Sequence, residues 1–126
     1  MKSQARILVV DDDEDIRHIV TRTLEKMGYG VLAVGSGLQA VSAVTSRKFR
    51  LALVDIKMAD MEGRKTIVEI HKCAPNMPVI VMTGSPHSEL GELQATVQGW
   101  LYKPFRLAQL RSLVERVLGE PSRKEP

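Results

Sequence analysis

The chain has 126 residues, enough for one domain with a real hydrophobic core and too few for a second of ordinary size. Its 18 basic and 15 acidic residues give a net charge of +3, and the cations are scattered, so direct nucleic-acid binding is not expected. No apolar run approaches the roughly 18 residues of a membrane span, the N-terminus does not read as a signal peptide, and the lone Cys73 suits a reducing, cytoplasmic setting.

The first apolar run, 7–10, is rich in Val, Ile and Leu without polar alternation and reads as a strand buried on both faces. It stops at the densest charge cluster of the chain, Asp11 to Asp15, where Asp12 or Asp13 can cap the following helix. Ile16, Ile19, Val20, Thr23, Leu24 and Met27 share one helical face. Gly28 then stands where helices end in a left-handed residue. A second strand, 31–34, precedes a short helix marked by Leu38, Val41 and Val44. A third strand, 51–54, ends on Asp55, and Ile67, Val68 and Ile70 mark a helix stopped before Pro75 and Pro78. The fourth strand, 79–82, leads to Thr83. Over 87–98, Leu90, Leu93 and Val97 keep helical spacing, although Gly91 interrupts them. A fifth strand, 100–102, runs into Lys103 and Pro104. Leu107, Leu110, Val114, Val117 and Leu118 form the last helix, which stops near Gly119. The polar stretch 120–126 is expected to be disordered, leaving residues 5–119 as the domain.

Five alternations of strand and helix imply an α/β fold with right-handed crossovers. The expected architecture is a doubly wound, five-stranded parallel sheet of flavodoxin-like order 2-1-3-4-5, with helices on both faces. Ligands of such sheets bind beyond the carboxyl ends of the strands, where Asp11, Asp12, Asp55, Thr83 and Lys103 all fall. Taken singly, the acids could be helix caps, Thr83 a turn residue and Lys103 a surface cation. Convergence on one edge makes them a site. Three crowded carboxylates repel one another and favour a cation. An all-oxygen set with few protein ligands suits Mg2+ better than Ca2+, and His18, His71, His87 and Cys73 lack zinc-ligand spacing. Asp55 can act as an attacking carboxylate, while Thr83 offers a hydroxyl donor and Lys103 a point charge for phosphoryl oxygens.

The segments ILVVDDD at 7–13, LVDIKMADMEG at 53–63, VMTG at 81–84 and KPF at 103–105 resemble, in order, the receiver domains of two-component response regulators. The likeness runs from about residue 6 to residue 118. It implies that Asp55 accepts a phosphoryl group from a phosphohistidine, supplied by a sensor histidine kinase or a histidine phosphotransfer domain. Asp12 and Asp55 would coordinate Mg2+ directly, Asp11 would lie in the shell, and Lys57 would add its backbone carbonyl. Thr83 and Lys103 would hold phosphoryl oxygens, and the Lys103–Pro104 bond would be cis. Thr83 and Trp100 would form the switch that reshapes the face of the fourth helix, fifth strand and fifth helix for a downstream protein, with phosphorylation-dependent homodimerisation as a further implied outcome. The resemblance is to a switch with self-dephosphorylation and not to a turnover enzyme.

The chain departs from that family at Ala59, where proline is usual, at Lys57, which adds a cation, and at Thr96-Val97, where Gly-Ala is common. The span from Thr83 to Lys103 is about two residues shorter than in many relatives, so an idiosyncratic output face is expected. A haloacid-dehalogenase-like phosphatase fits less well, because Lys57 stands where a second Asp is usual and no cap fits. No flavin phosphate loop or P-loop follows the first strand. A phosphorylation-independent interaction module on the same fold is the remaining alternative.

Overall fold

The computed structural model of the chain describes residues 6–57, 63–84 and 87–119, without the side chains of residues 87–90. Residue 5, Ala59, and the 120–126 stretch expected to be disordered lie outside the described residues.

Short apolar runs form five strands, rich in β-branched and aliphatic residues in the first four and aromatic in the last: β1 (Arg6–Val10), β2 (Gly30–Val34), β3 (Leu51–Asp55), β4 (Val79–Thr83) and β5 (Gly99–Tyr102). All four pairings are parallel, in the order β2-β1-β3-β4-β5. Helices α1 (Glu14–Lys26), α2 (Gly37–Ser46), α3 (Gly63–Cys73) and α4 (Leu107–Leu118) connect and cover them. The chain therefore has the doubly wound, flavodoxin-like α/β architecture that its alternating pattern implies.

Because side chains alternate across a strand, each central strand feeds two cores. Ile7, Val9, Leu51, Leu53, Ile80 and Met82 pack with Val20 and Leu24 of α1 and with Leu110 and Val114 of α4. Leu8, Val10, Ala52, Val54, Val79 and Val81 pack instead with Ala40 and Val44 of α2 and with Ile67 and Ile70 of α3. Fully burying an aliphatic side chain contributes roughly 1.5–3 kcal/mol, so the hydrophobic term holds the sheet from both sides.

Helical expectations need correction in four segments. In α2 the buried face is Gly37, Ala40, Ala43 and Val44, and Leu38 is 63% exposed. Small residues let this short helix lie close to its neighbours, which leaves a bulky Leu at its N-terminus outside. Ile19 and Val68 are likewise exposed, because the apolar stripes of α1 and α3 are wider than the faces those helices bury. The segment 87–98 is not an α-helix. Residues His87–Thr96 form two short 3-10 pieces joined at Gly91, whose φ of 57° and ψ of −126° break any continuous helix. Such a backbone is open to glycine and strained for other residues.

Gln98 closes this irregular crossing. Its backbone N–H donates to Val79 O at 2.8 Å, and its side-chain Oε1 accepts from Val79 N at 2.8 Å. This two-way pairing imitates a ladder rung and starts β5 opposite the start of β4.

Candidate functional site

The acid-rich run after β1 is held by its own backbone donors. Asp13 caps α1, accepting from the backbone N–H groups of Asp15 and Ile16. Asp11 is fully buried, its N–H donates to Val34 O at 3.2 Å, and its Oδ1 accepts from Asp13 N at 2.9 Å. Asp12, between them, is exposed. The next carboxylate arrives on β3. Asp55 is the last residue of that strand, opposite Met82, buried, with Oδ1 accepting from Lys57 N at 3.3 Å.

Close approach of α3 sets the main chain just after Asp55. Gly63 N donates to Ile56 O at 2.7 Å. A Cβ on Gly63 would lie 2.5 Å from Ile56 Cα and 2.8 Å from the carbonyl oxygens of Asp55 and Ile56. Glycine is required there for space.

Thr83 and Lys103 come from neighbouring strands. Thr83 ends β4, is buried, and its carbonyl accepts from Lys103 N at 2.8 Å. The Lys103–Pro104 peptide bond is cis. Lys103 Nζ lies 2.9 Å from Asp11 Oδ2 and 3.4 Å from Asp55 Oδ2, so one ammonium group bridges two buried carboxylates.

Carboxylate oxygens of Asp11, Asp12 and Asp55 lie within 4.8 Å of one another. Burial first, and then the charge of Asp11, push Asp55 up from its ordinary value of 3.8 to about 6, against the pull of Lys103 and the Lys57 N–H. Burial alone would lower Lys103, but its bond to Asp11 and the charges of Asp55 and Asp11 prevail and raise it. Three carboxylates facing one ammonium group remain short of positive charge, and all of their donor atoms are oxygens. A hard divalent cation the size of Mg2+ fits that set.

The structure thus brings Asp11, Asp12, Asp55, Thr83 and Lys103 to one edge, and Lys57 follows directly along the chain. Trp100 is placed differently. It is half-buried on β5 opposite Val81, packed against the core on the α2–α3 side, while Tyr102 is the residue opposite Thr83. Cys73 is exposed, as the last residue of α3. His71 is half-buried, with Nε2 3.2 Å from Met77 O. Arg17 is an unforeseen participant: its Nη1 donates to Asp11 O at 2.9 Å. The only hint is its place one helical turn after Asp13, a weak one, since helical arginines usually face solvent.

A family model described as the response regulator receiver domain matches residues 7–115. The transcriptional regulatory protein ZraR of Escherichia coli O157:H7 is 37% identical over 114 residues, covering 89% of this chain and 26% of its own length. The chain therefore spans about a quarter of the curated relatives it matches. Among solved structures, a CheY-like response regulator receiver domain protein from Methanospirillum hungatei JF-1 superposes with a TM-score of 0.87 at 33% identity, covering 93% of this chain and 95% of that one. The receiver domain of the sensor histidine kinase PA1611 from Pseudomonas aeruginosa PAO1 superposes with a TM-score of 0.84 at 26% identity, covering 94% and 100%. That structure has a magnesium ion coordinated in its active-site cleft. From sheet order to acid cluster, the chain belongs to the receiver-domain family of two-component response regulators.

Proposed function

We propose that the chain is a phosphorylation-driven switch in which Asp55 accepts a phosphoryl group from a phosphohistidine in a Mg2+-dependent reaction. The observation that carries this reading is the setting of Asp55, buried between the acid pair after β1 and the Lys103 ammonium group. Asp12 and Asp55, with Asp11 in the shell and the Lys57 carbonyl, would hold Mg2+, which supplies positive charge against the incoming phosphoryl oxygens. The magnesium ion in the PA1611 receiver domain supports that assignment.

In the transfer, an Asp55 carboxylate oxygen forms a bond to phosphorus as the phosphorus–nitrogen bond of the donor breaks. The electron pair stays on the donor imidazole, which takes a proton from solvent. Burial makes Asp55 more basic than an ordinary carboxylate, yet a pKa of about 6 leaves it mostly ionised at neutral pH. Lys103 already reaches the Asp55 carboxylate and can turn to an oxygen of the new group, and Thr83 at the neighbouring strand end can donate its hydroxyl to another. Such a reaction needs mainly positioning and electrostatic stabilisation.

Partners on the donor side are a sensor histidine kinase or a histidine phosphotransfer domain, in the cytoplasm. On the output side, Thr83 and Trp100 relay the change to the face formed by the 87–96 segment, β5 and α4, which engages a downstream protein or a second phosphorylated copy. The two states of that face differ by only a few kcal/mol if one modification reverses them. The group is lost by self-hydrolysis, so the chain is a switch and not a turnover enzyme.

The test is incubation with acetyl phosphate, with and without Mg2+, followed by intact mass and Trp100 fluorescence. One adduct of about 80 Da is expected, dependent on Mg2+ and absent from Asp55→Asn. A fluorescence change with it supports the role of Trp100, and an adduct without one removes that role alone. No adduct, together with no response to beryllofluoride, overturns the phosphoacceptor reading and leaves a constitutive interaction module.

A further inference from the structure

The guanidinium of Arg17 has two neighbours, the start of the acid run and the β2–α2 turn. Its Nη1 donates to the main-chain carbonyl of Asp11 at 2.9 Å. The same guanidinium also lies over the β2–α2 turn, where a Cβ built on Gly35 would meet Nη1 at 2.9 Å. Its backbone N–H donates to Asp13 O at 3.0 Å. The side chain of Arg17 therefore ties down the carbonyl of Asp11 at the start of the acid run, while its backbone bond to Asp13 is the ordinary first-turn bond of α1. Asp12 lies between these two points. Being exposed, it has little packing of its own to fix its carboxylate against Asp55.

We infer that Arg17 is a positioning residue for the metal site: by holding the carbonyl of Asp11, and so the peptide that leads into Asp12, beside the β2–α2 turn, its side chain sets the carboxylate of Asp12 at its distance from Asp55. The inference rests on the proposed use of Mg2+ by this cluster. A planar guanidinium holds such a geometry more rigidly than a lysine ammonium group on its flexible stem. Glycine at position 35 leaves the space this grip needs. Gly35 is not among the residues with positive φ, so alanine meets no backbone obstacle there and acts only by displacing the guanidinium.

The experiment is Mg2+ titration of wild type, Arg17→Ala, Gly35→Ala and the double variant, read from the amide resonances of Asp13 and Lys57. Both N–H groups donate to carboxylates of the cluster, which makes them direct reporters. Urea midpoints in EDTA are recorded alongside, to separate loss of fold from loss of site. Arg17→Ala is expected to weaken Mg2+ binding about tenfold, as loss of a group supporting metal ligands does. Gly35→Ala should weaken it less, and the double variant should bind no more weakly than Arg17→Ala, because both changes remove one contact. If Arg17→Ala fails to fold, Gly35→Ala alone decides. Unchanged Mg2+ affinity in the single variants, or losses that multiply in the double, overturns the inference. A wild type that does not titrate with Mg2+ overturns the proposed use of the metal, and this inference with it.

Discussion

The carboxyl edge of the sheet and the crossing from β4 to β5 lie next to each other, yet they are built by opposite means. At the edge, every functional group is the last residue of a buried strand or lies within two residues of one. Its position is set by the two cores packed below it. Within the crossing, residues 87–96 make two short 3-10 pieces about a glycine with a backbone few other residues tolerate. One region is over-determined by packing and the other is lightly held. A switch needs both: a rigid place for chemistry and a neighbour whose shape can change at a cost of a few kcal/mol.

The sharpest way to break the contrast is Gly63→Ala. Its methyl group would press on the main chain at Asp55 and Ile56, which cannot yield as a flexible side chain can. A loss of roughly 3 kcal/mol is expected, the upper end of overpacking costs, read as a lower urea midpoint. Retention of wild-type stability would mean the edge is less rigid than its distances indicate.

Next in size is the response to pH without Mg2+. An acid whose folded-state pKa exceeds its unfolded value holds its proton more tightly when folded. Asp55, raised from 3.8 to about 6, therefore contributes stability that is fully present below about pH 4 and lost as pH rises through about 6. A fall of about 2 kcal/mol across that window is expected for wild type in EDTA, and a flatter profile for Asp55→Asn. Urea midpoints at closely spaced pH values measure it. Equal slopes in the two proteins would place the ionisation cost elsewhere.

The smallest effect is reserved for the other region. Gly91→Ala forces a strained backbone on the crossing and should lower stability by about 1 kcal/mol. The yield of the Asp55 adduct with acetyl phosphate should stay unchanged. A large loss of adduct would show that the crossing supports the chemistry itself and would erase the distinction.

The two regions are unequally legible in the sequence, for the same physical reason. Strands buried on both faces must be continuous apolar runs, so β1, β3 and β4 stand out. Asp11, Asp55 and Thr83 are then located simply as the first polar residue at the end of each run, and Lys103 by its place after β5. The crossing carries a faint helical period in Leu90, Leu93 and Val97, and a period alone cannot report that Gly91 takes a left-handed turn. Burial of particular helix faces is also hidden: Leu38 fits the pattern of α2, but closeness to the sheet selects Ala40 and Ala43. The contacts of Arg17 and Gly63 depend on distances between elements remote in sequence or folded back on themselves, and no local pattern encodes them.

The Gln98 rung has a consequence for how such chains diverge. Because it ties the start of β5 to the start of β4 from beyond the crossing, it adds to the strand ladder in holding the register that delivers Lys103 to Asp11. The length and surface of the crossing are free to drift under mutation while the chemistry behind them stays in register. Under the proposed function, a lineage can thus acquire a new listener without rebuilding the phosphorylation site.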